Sequence, residues 1–219
     1  MTRKTQAKKV TKALEKEYPD AICSLEVEKP YELLVSVRLA AQCTDARVNI
    51  VTKELFAVYP TLESFASANV EDVERIVRPC GFFRTKAKDI IAMANMLLED
   101  YHGVVPDSIE ELLKLPGVGR KSANLVVGDV YGKPAVVCDT HCIRITNLLG
   151  LSTSKNPDKV ERELREVLDP VKSNDFCHRL VLHGRAVCKA RSPQCRMCCM
   201  RQWCDYGRKH GSAKDTAKG

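Results

Sequence analysis

Apolar residues recur along this chain at spacings of three and four, the period of a helix that buries one face, and almost nowhere at the alternating positions of a half-buried strand. Within residues 45–59, Val48, Val51, Leu55 and Val58 fall on one stripe. Ile90, Ile91, Ala94, Leu97 and Leu98 do the same within residues 85–101, after the break at Gly81. A further helix is predicted over residues 31–42, and only the short run 135–138 reads as extended. The predicted class is all-α.

The punctuation between these stripes sharpens their ends. Asp107, with Glu110 three residues later, resembles a capping box for a helix over residues 108–115. Pro116, Gly117 and Gly119 then force a tight turn, and residues 120–131 read as the next helix, so the pair forms a helix–hairpin–helix unit. Gly132 and Pro134 mark the predicted domain boundary, after which Asp139 or Thr140 caps a helix running to Leu149. Asn156 followed by Pro157 starts another, whose buried face is Val160, Leu164, Val167 and Leu168 and which ends near Pro170. A last helix over residues 174–189 leads into a cluster of cysteines, and the polar, basic stretch 208–219 is expected to fray.

Composition narrows the function classes. At 219 residues and 44% hydrophobic content the chain can bury a real core. Lys and Arg outnumber Asp and Glu by 35 to 28, and a net charge of +7 suits a polyanion: a nucleic acid or an anionic membrane surface. Against a spanning segment, the apolar stretch 33–41 is interrupted by Arg38 and falls well short of the roughly 20 residues required. The basic residues up to Lys16 precede no apolar run, so no signal peptide is read and a cytoplasmic location is expected. Eleven cysteines is an odd number, and most lie at irregular intervals, which argues against a disulfide framework.

Four of them are regular. Cys188, Cys195, Cys198 and Cys204 stand at intervals that let all four thiolates reach one centre, which suits either a [4Fe–4S] cluster or a structural zinc. Lys189, Arg191, Arg196 and Arg201 lie beside them and could offset the site's negative charge while facing a polyanion. In the Leu115-Pro116-Gly117-Val118-Gly119 turn, glycines let the backbone take positive φ and approach a ligand closely. Its amides, at the start of the next helix, form an anion site for a phosphate; the alternative is a turn whose glycines serve geometry alone. Lys121 lies in the first turn of that helix, where the dipole and Arg120 disfavour an ammonium ion, and only a neutral amine attacks carbon. The plain alternative is a solvated lysine or a phosphate contact. Asp139 at a helix start is expected to stay ionised and to offset positive charge at a reacting carbon, or else to be a cap and nothing more.

Taken together, residues 115–124, the Val137-Cys138-Asp139-Thr140-His141 run and the four spaced cysteines closely resemble the endonuclease III family of helix–hairpin–helix DNA glycosylases. The resemblance implies a bilobal all-α fold, with a six-helix barrel over residues 23–133 and a discontinuous second domain from residues 1–22 and 134–219. It implies a bifunctional DNA glycosylase and abasic-site lyase, acting as a monomer on double-stranded DNA and removing oxidised pyrimidines. Lys121 would be the nucleophile, Asp139 its assisting carboxylate, and the cysteines the ligands of a [4Fe–4S] cluster. Gln42 resembles the glutamine that fills the gap left by a flipped base, and Gly81-Phe82 a second inserting loop, although Phe82 stands where several relatives carry leucine. A buried aromatic is the plain alternative for Phe82, as packing is for His141, which otherwise contacts phosphate. Gly117, Gly119, Arg120, Lys189 and Arg191 complete the expected DNA contacts. The rivals are a monofunctional mismatch glycosylase, against which Lys121 and the short stretch after Cys204 both argue, and a non-catalytic iron–sulfur DNA-binding protein, which would need neither Lys121 nor Asp139.

Overall fold

A computed structural model of the chain describes residues 1–210, and α-helices dominate them. In order these are α1 (Arg3–Glu17), α2 (Pro30–Ala40), α3 (Asp45–Val58), α4 (Leu62–Ala66), α5 (Val70–Val77), α6 (Phe83–Glu99), α7 (Ile109–Leu112), α8 (Arg120–Asp129), α9 (Thr140–Leu149), α10 (Pro157–Val167), α11 (Ser173–Ala186) and α12 (Asp205–His210). No strand occurs among the described residues, so the all-α expectation holds. None of these helices is long and apolar enough to cross a membrane.

The chain forms two compact units. One is Cys23–Gly132, organised around α2. That helix buries Leu33, Leu34, Val35, Val37 and Leu39, and it packs on α3, α6 and α8. Burying a Leu or Val side chain contributes about 1.5–3 kcal/mol, so this helix forms through packing rather than propensity. The face Ala87, Ile90, Met93, Ala94 and Leu97 of α6 lies against α4 and α5. Phe65 of α4 is fully buried, with Tyr31, Phe56 and Tyr59 gathered around it at ring separations of 6.4, 6.3 and 5.3 Å.

The other unit joins Met1–Ile22 to the chain from Lys133 onward. Ala7, Val10 and Leu14 of α1 are buried, and the helix packs on α10 and α11. Gln6 Nε2 donates to the carbonyls of both Leu149 and Trp203 at 2.6 Å, fastening α1 to the end of α9 and to the cysteine-rich segment. Asn156 caps α10 through the Lys159 N–H, and Pro157 takes the first helical position as read from the sequence.

Several details differ from the expectations, each for a local reason. Residues 135–138 are buried and free of helix, yet they pair with no neighbouring strand. Val58 is 53% exposed at the last residue of α3, and Ile91 and Leu98 are half-buried at the edges of the α6 stripe. Ser108, not Asp107, caps α7, accepting the Glu111 N–H, and the helix is a single turn because the chain must bend into Pro116. α2 stops at Ala40, before Gln42, whose φ of 58° no right-handed helix contains. Likewise α11 ends at Ala186, short of the expected Lys189. Of the stretch expected to fray, residues 208–210 lie in α12, and residues 211–219 lie outside the described residues.

Candidate active site and cysteine pocket

The hairpin turn between α7 and α8 divides two duties between its glycines. Gly117 has φ of +73°, and a Cβ built there would meet Arg38 Cδ and Nε at 2.6 Å and Asp89 Oδ2 at 2.9 Å. The turn therefore rests on the Arg38–Asp89 ion pair, whose Nε and Nη2 contacts to one carboxylate oxygen are both 2.7 Å. Gly119 is different. Its φ of −99° is open to any residue and a Cβ there would meet nothing within 4 Å, so positive φ is not its reason. It caps α8 without a side chain, leaving the first-turn amides uncovered by any side-chain cap. Arg120 and Lys121 are the first two residues of that helix, both exposed. An open helix start of this kind accepts an external anion.

Asp139 sits at the start of α9 and is its cap, half-buried, with Oδ1 accepting the Cys142 N–H at 2.7 Å. The carboxylate is thus held at a fixed place by its own helix. His141, two residues on, is half-buried; its Nδ1 faces Arg144 Nη2 at 3.4 Å, and a Cβ at Gly184 of α11 would collide with its ring. The ring packs on that backbone.

The two other sequence-derived contacts lie in Cys23–Gly132, on loops. Gln42 follows the end of α2 and Phe82 precedes α6, with φ of 58° and 49°. Phe82 is 65% exposed, which disposes of the buried-aromatic alternative. A left-handed backbone is costly for a residue with a Cβ, and both loops spend that strain to aim a side chain outward. Lys86, which the sequence reading passed over, lies beneath both. Its ammonium is fully buried and donates to the carbonyls of Leu39, Ala41 and Cys80 at 2.8 Å each. The signal was present: Lys86 stands four residues before Ile90, in the apolar stripe of α6.

Cys188, Cys195, Cys198 and Cys204 line one pocket, with Ile145, Leu149 and Met200 among its other walls. Burial is the first cause that pushes the Cys198 thiol up to about 12, and it raises Cys195 and Cys204 as well. Thiols raised in this way ionise together when a positive centre binds them. N–H groups already face the sulfurs: Gly207 N to Cys204 Sγ at 3.3 Å and Arg144 Nη1 to Cys188 Sγ at 3.5 Å. His183, fully buried, places Nε2 3.3 Å from Cys198 Sγ and Nδ1 3.1 Å from Tyr18 Oη. Burial, then the Arg144 charge, lowers its pKa to about 4, so the ring is neutral. The donor set fits a thiolate-ligated centre. The side chains share a pocket without standing in the arrangement of a bound ion, since among the described residues no group of three or more His, Cys, Asp or Glu does so. Lys189 and Arg191 are exposed between the first and second of these cysteines.

Known proteins align with this arrangement across nearly its whole length. The family model described as HhH-GPD superfamily base excision DNA repair protein matches residues 35–170. Endonuclease III of Rickettsia conorii (strain ATCC VR-613 / Malish 7) is 41% identical over 198 residues, covering 90% of this chain and 94% of that protein. A solved structure of a trapped endonuclease III–DNA covalent intermediate, an estranged-adenine complex, superposes with a TM-score of 0.89 at 40% identity, covering 97% of this chain and all of that one. A non-covalent endonuclease III–DNA complex gives the same TM-score and identity over 95% of this chain and 98% of the other.

Proposed function

The chain belongs to the endonuclease III family of HhH-GPD base excision DNA repair proteins, and from that premise we propose how its residues divide the work of a DNA glycosylase and abasic-site lyase. The substrate is double-stranded DNA carrying an oxidised pyrimidine or an abasic site, handled by one chain. Gly117, Gly119 and Arg120 hold a backbone phosphate at the open start of α8, with Lys189, Arg191 and His141 as further backbone contacts. Gln42 and Phe82 enter the duplex where the damaged nucleotide has been turned out of the stack.

Lys121 is the nucleophile. Its neutral amine forms a bond to the sugar C1′ as the C1′–base bond breaks, and the base leaves with the electron pair and takes up a proton. The Asp139 carboxylate offsets positive charge growing on the sugar, a role suited to an anion fixed by its own helix. The bound amine has then lost one proton; its lone pair breaks the C1′–O4′ bond, O4′ takes up a proton, and the protonated Schiff base that results acidifies the C2′ protons. Removal of one C2′ proton and cleavage of the C3′–O bond release the 3′ phosphate, and water then frees Lys121. The four cysteines hold a [4Fe–4S] cluster, which when bound cross-links the segment carrying Lys189 and Arg191.

The observation that carries this reading is an exposed lysine in the first turn of a helix capped by a bare glycine, in a chain that aligns end to end with a protein trapped covalently on DNA. The test is borohydride trapping on duplex DNA with an abasic site or an oxidised pyrimidine. A covalent adduct is expected; its absence with folded protein removes the lyase. Iron and sulfide analysis with the visible spectrum tests the cluster, and stoichiometric zinc in place of iron would refute it.

A further inference from the structure

Three non-glycine residues among those described, Gln42, Phe82 and His102, have left-handed backbones, all of them exposed in Cys23–Gly132, and the first two stand on loops that converge on a single buried side chain. The loops are far apart in sequence, yet one buried side chain serves both. Lys86 Nζ meets Leu39 O and Ala41 O at the end of α2, just before Gln42, and Cys80 O, just before Gly81 and Phe82. An ammonium has three N–H donors and no acceptor, so three carbonyls at 2.8 Å use it completely. A neutral amine would leave one carbonyl facing a lone pair. The carbonyls at a helix end lack intrahelical partners and carry the negative end of the dipole, so a cation there satisfies two needs at once.

We propose that Lys86 is the positioning residue of the lesion-opening step: its ammonium ties the ends of two loops into one rigid piece, so that Gln42 and Phe82 are presented together. This rests on the reading, given above, that these two side chains enter DNA. Lys86 touches no reacting atom. Its effect is on the cost of holding two strained backbones in register, which would otherwise be met when DNA binds.

A double-mutant cycle tests it. Base excision under single-turnover conditions is measured for Lys86→Met, for the Gln42→Ala, Phe82→Ala double variant, and for the triple variant, with melting curves for each. Lys86→Met in the otherwise unchanged protein is expected to slow excision about 30-fold, and less than threefold when added to the double variant. A full 30-fold loss in the triple variant overturns the proposal, because Lys86 would then act through other groups. No loss in the double variant overturns the insertion reading itself, and the proposal with it, and that result is recognisable without any Lys86 variant.

If Lys86→Met melts below the assay temperature, amide exchange in the unchanged protein decides. Cys43 N–H bonds Ala40 O at 3.0 Å and Gly81 N–H bonds Arg78 O at 3.2 Å, one in each loop. A common tie predicts protection factors within about threefold of each other and parallel changes on DNA binding. Protection differing by more than tenfold, with one loop responding to DNA alone, overturns it.

Discussion

The starts of α8 and α9 each carry a residue proposed for catalysis, and they are finished in opposite ways. Gly119 begins α8 with no side chain over its first-turn amides, while Asp139 begins α9 with its own carboxylate bonded to the Cys142 N–H at 2.7 Å. One start is open to an anion from outside; the other is closed by an anion of its own. The difference matches the two proposed tasks. A nucleophile has to reach and move with a substrate, and Lys121 is exposed beside the open start. A carboxylate that stabilises charge works best when it does not reorganise, and Asp139 is fixed before any substrate arrives.

The largest effect is expected at the open start. Lys121→Gln should lower borohydride trapping and strand nicking by about a thousandfold or more, with DNA affinity within about threefold of the unchanged protein. Normal trapping by this variant would mean that another amine attacks. At the closed start, Asn at position 139 can still accept the Cys142 N–H but carries no charge. Asp139→Asn should therefore keep its melting temperature within a few degrees and slow base release about 100-fold, whereas Asp139→Ala should also lose about 1 kcal/mol of stability. Equal rates for Asp139→Asn and the unchanged protein would reduce the residue to a cap.

The two glycines of the turn sharpen the contrast at smaller scale. Gly119→Ala meets no neighbour and no backbone strain, so it should leave stability unchanged and weaken DNA binding about tenfold by crowding the phosphate. Gly117→Ala should act first on stability, costing about 1–3 kcal/mol through positive φ and collision with Arg38, and should weaken DNA binding only as far as the turn is displaced. If the two variants behaved alike, the turn would not divide its duties as described. The smallest effect concerns residues away from both helix starts: removing Lys189 or Arg191 should each lower the salt slope of binding by about one, read from affinities across a salt series.

How much of this was legible beforehand depended on the length of each pattern. Long stripes such as those of α3, α6 and α10 were readable because three or four turns repeat the same spacing, and Asn156-Pro157 marked its helix start by chemistry as well. α4 and α5, of five and eight residues, give a periodicity search too few turns, although Thr61 with Ser64 and Asn69 cap their starts. Residues 135–138 looked like a strand because burial on all sides demands an apolar run whatever its hydrogen bonding. That four spaced cysteines share a pocket was readable from spacing; which groups face their sulfurs was not, since Arg144, His183 and Gly207 come from three separate segments. Lys86 was hidden by its type. A lysine in an apolar stripe is usually counted as solvent-facing, and only the three carbonyls brought over it by α2 and the turn before Gly81 make its burial favourable.

The tie from Gln6 to Leu149 and Trp203 has a consequence for how the protein is born. Cys23–Gly132 is one uninterrupted stretch and has all its partners as soon as it leaves the ribosome. Helix α1 is made before that stretch, yet the helices that cover Val10 and Leu14 are synthesised more than a hundred residues later. A segment made before Cys23–Gly132 thus finds its place after it, and its apolar stripe waits uncovered while the intervening residues are made.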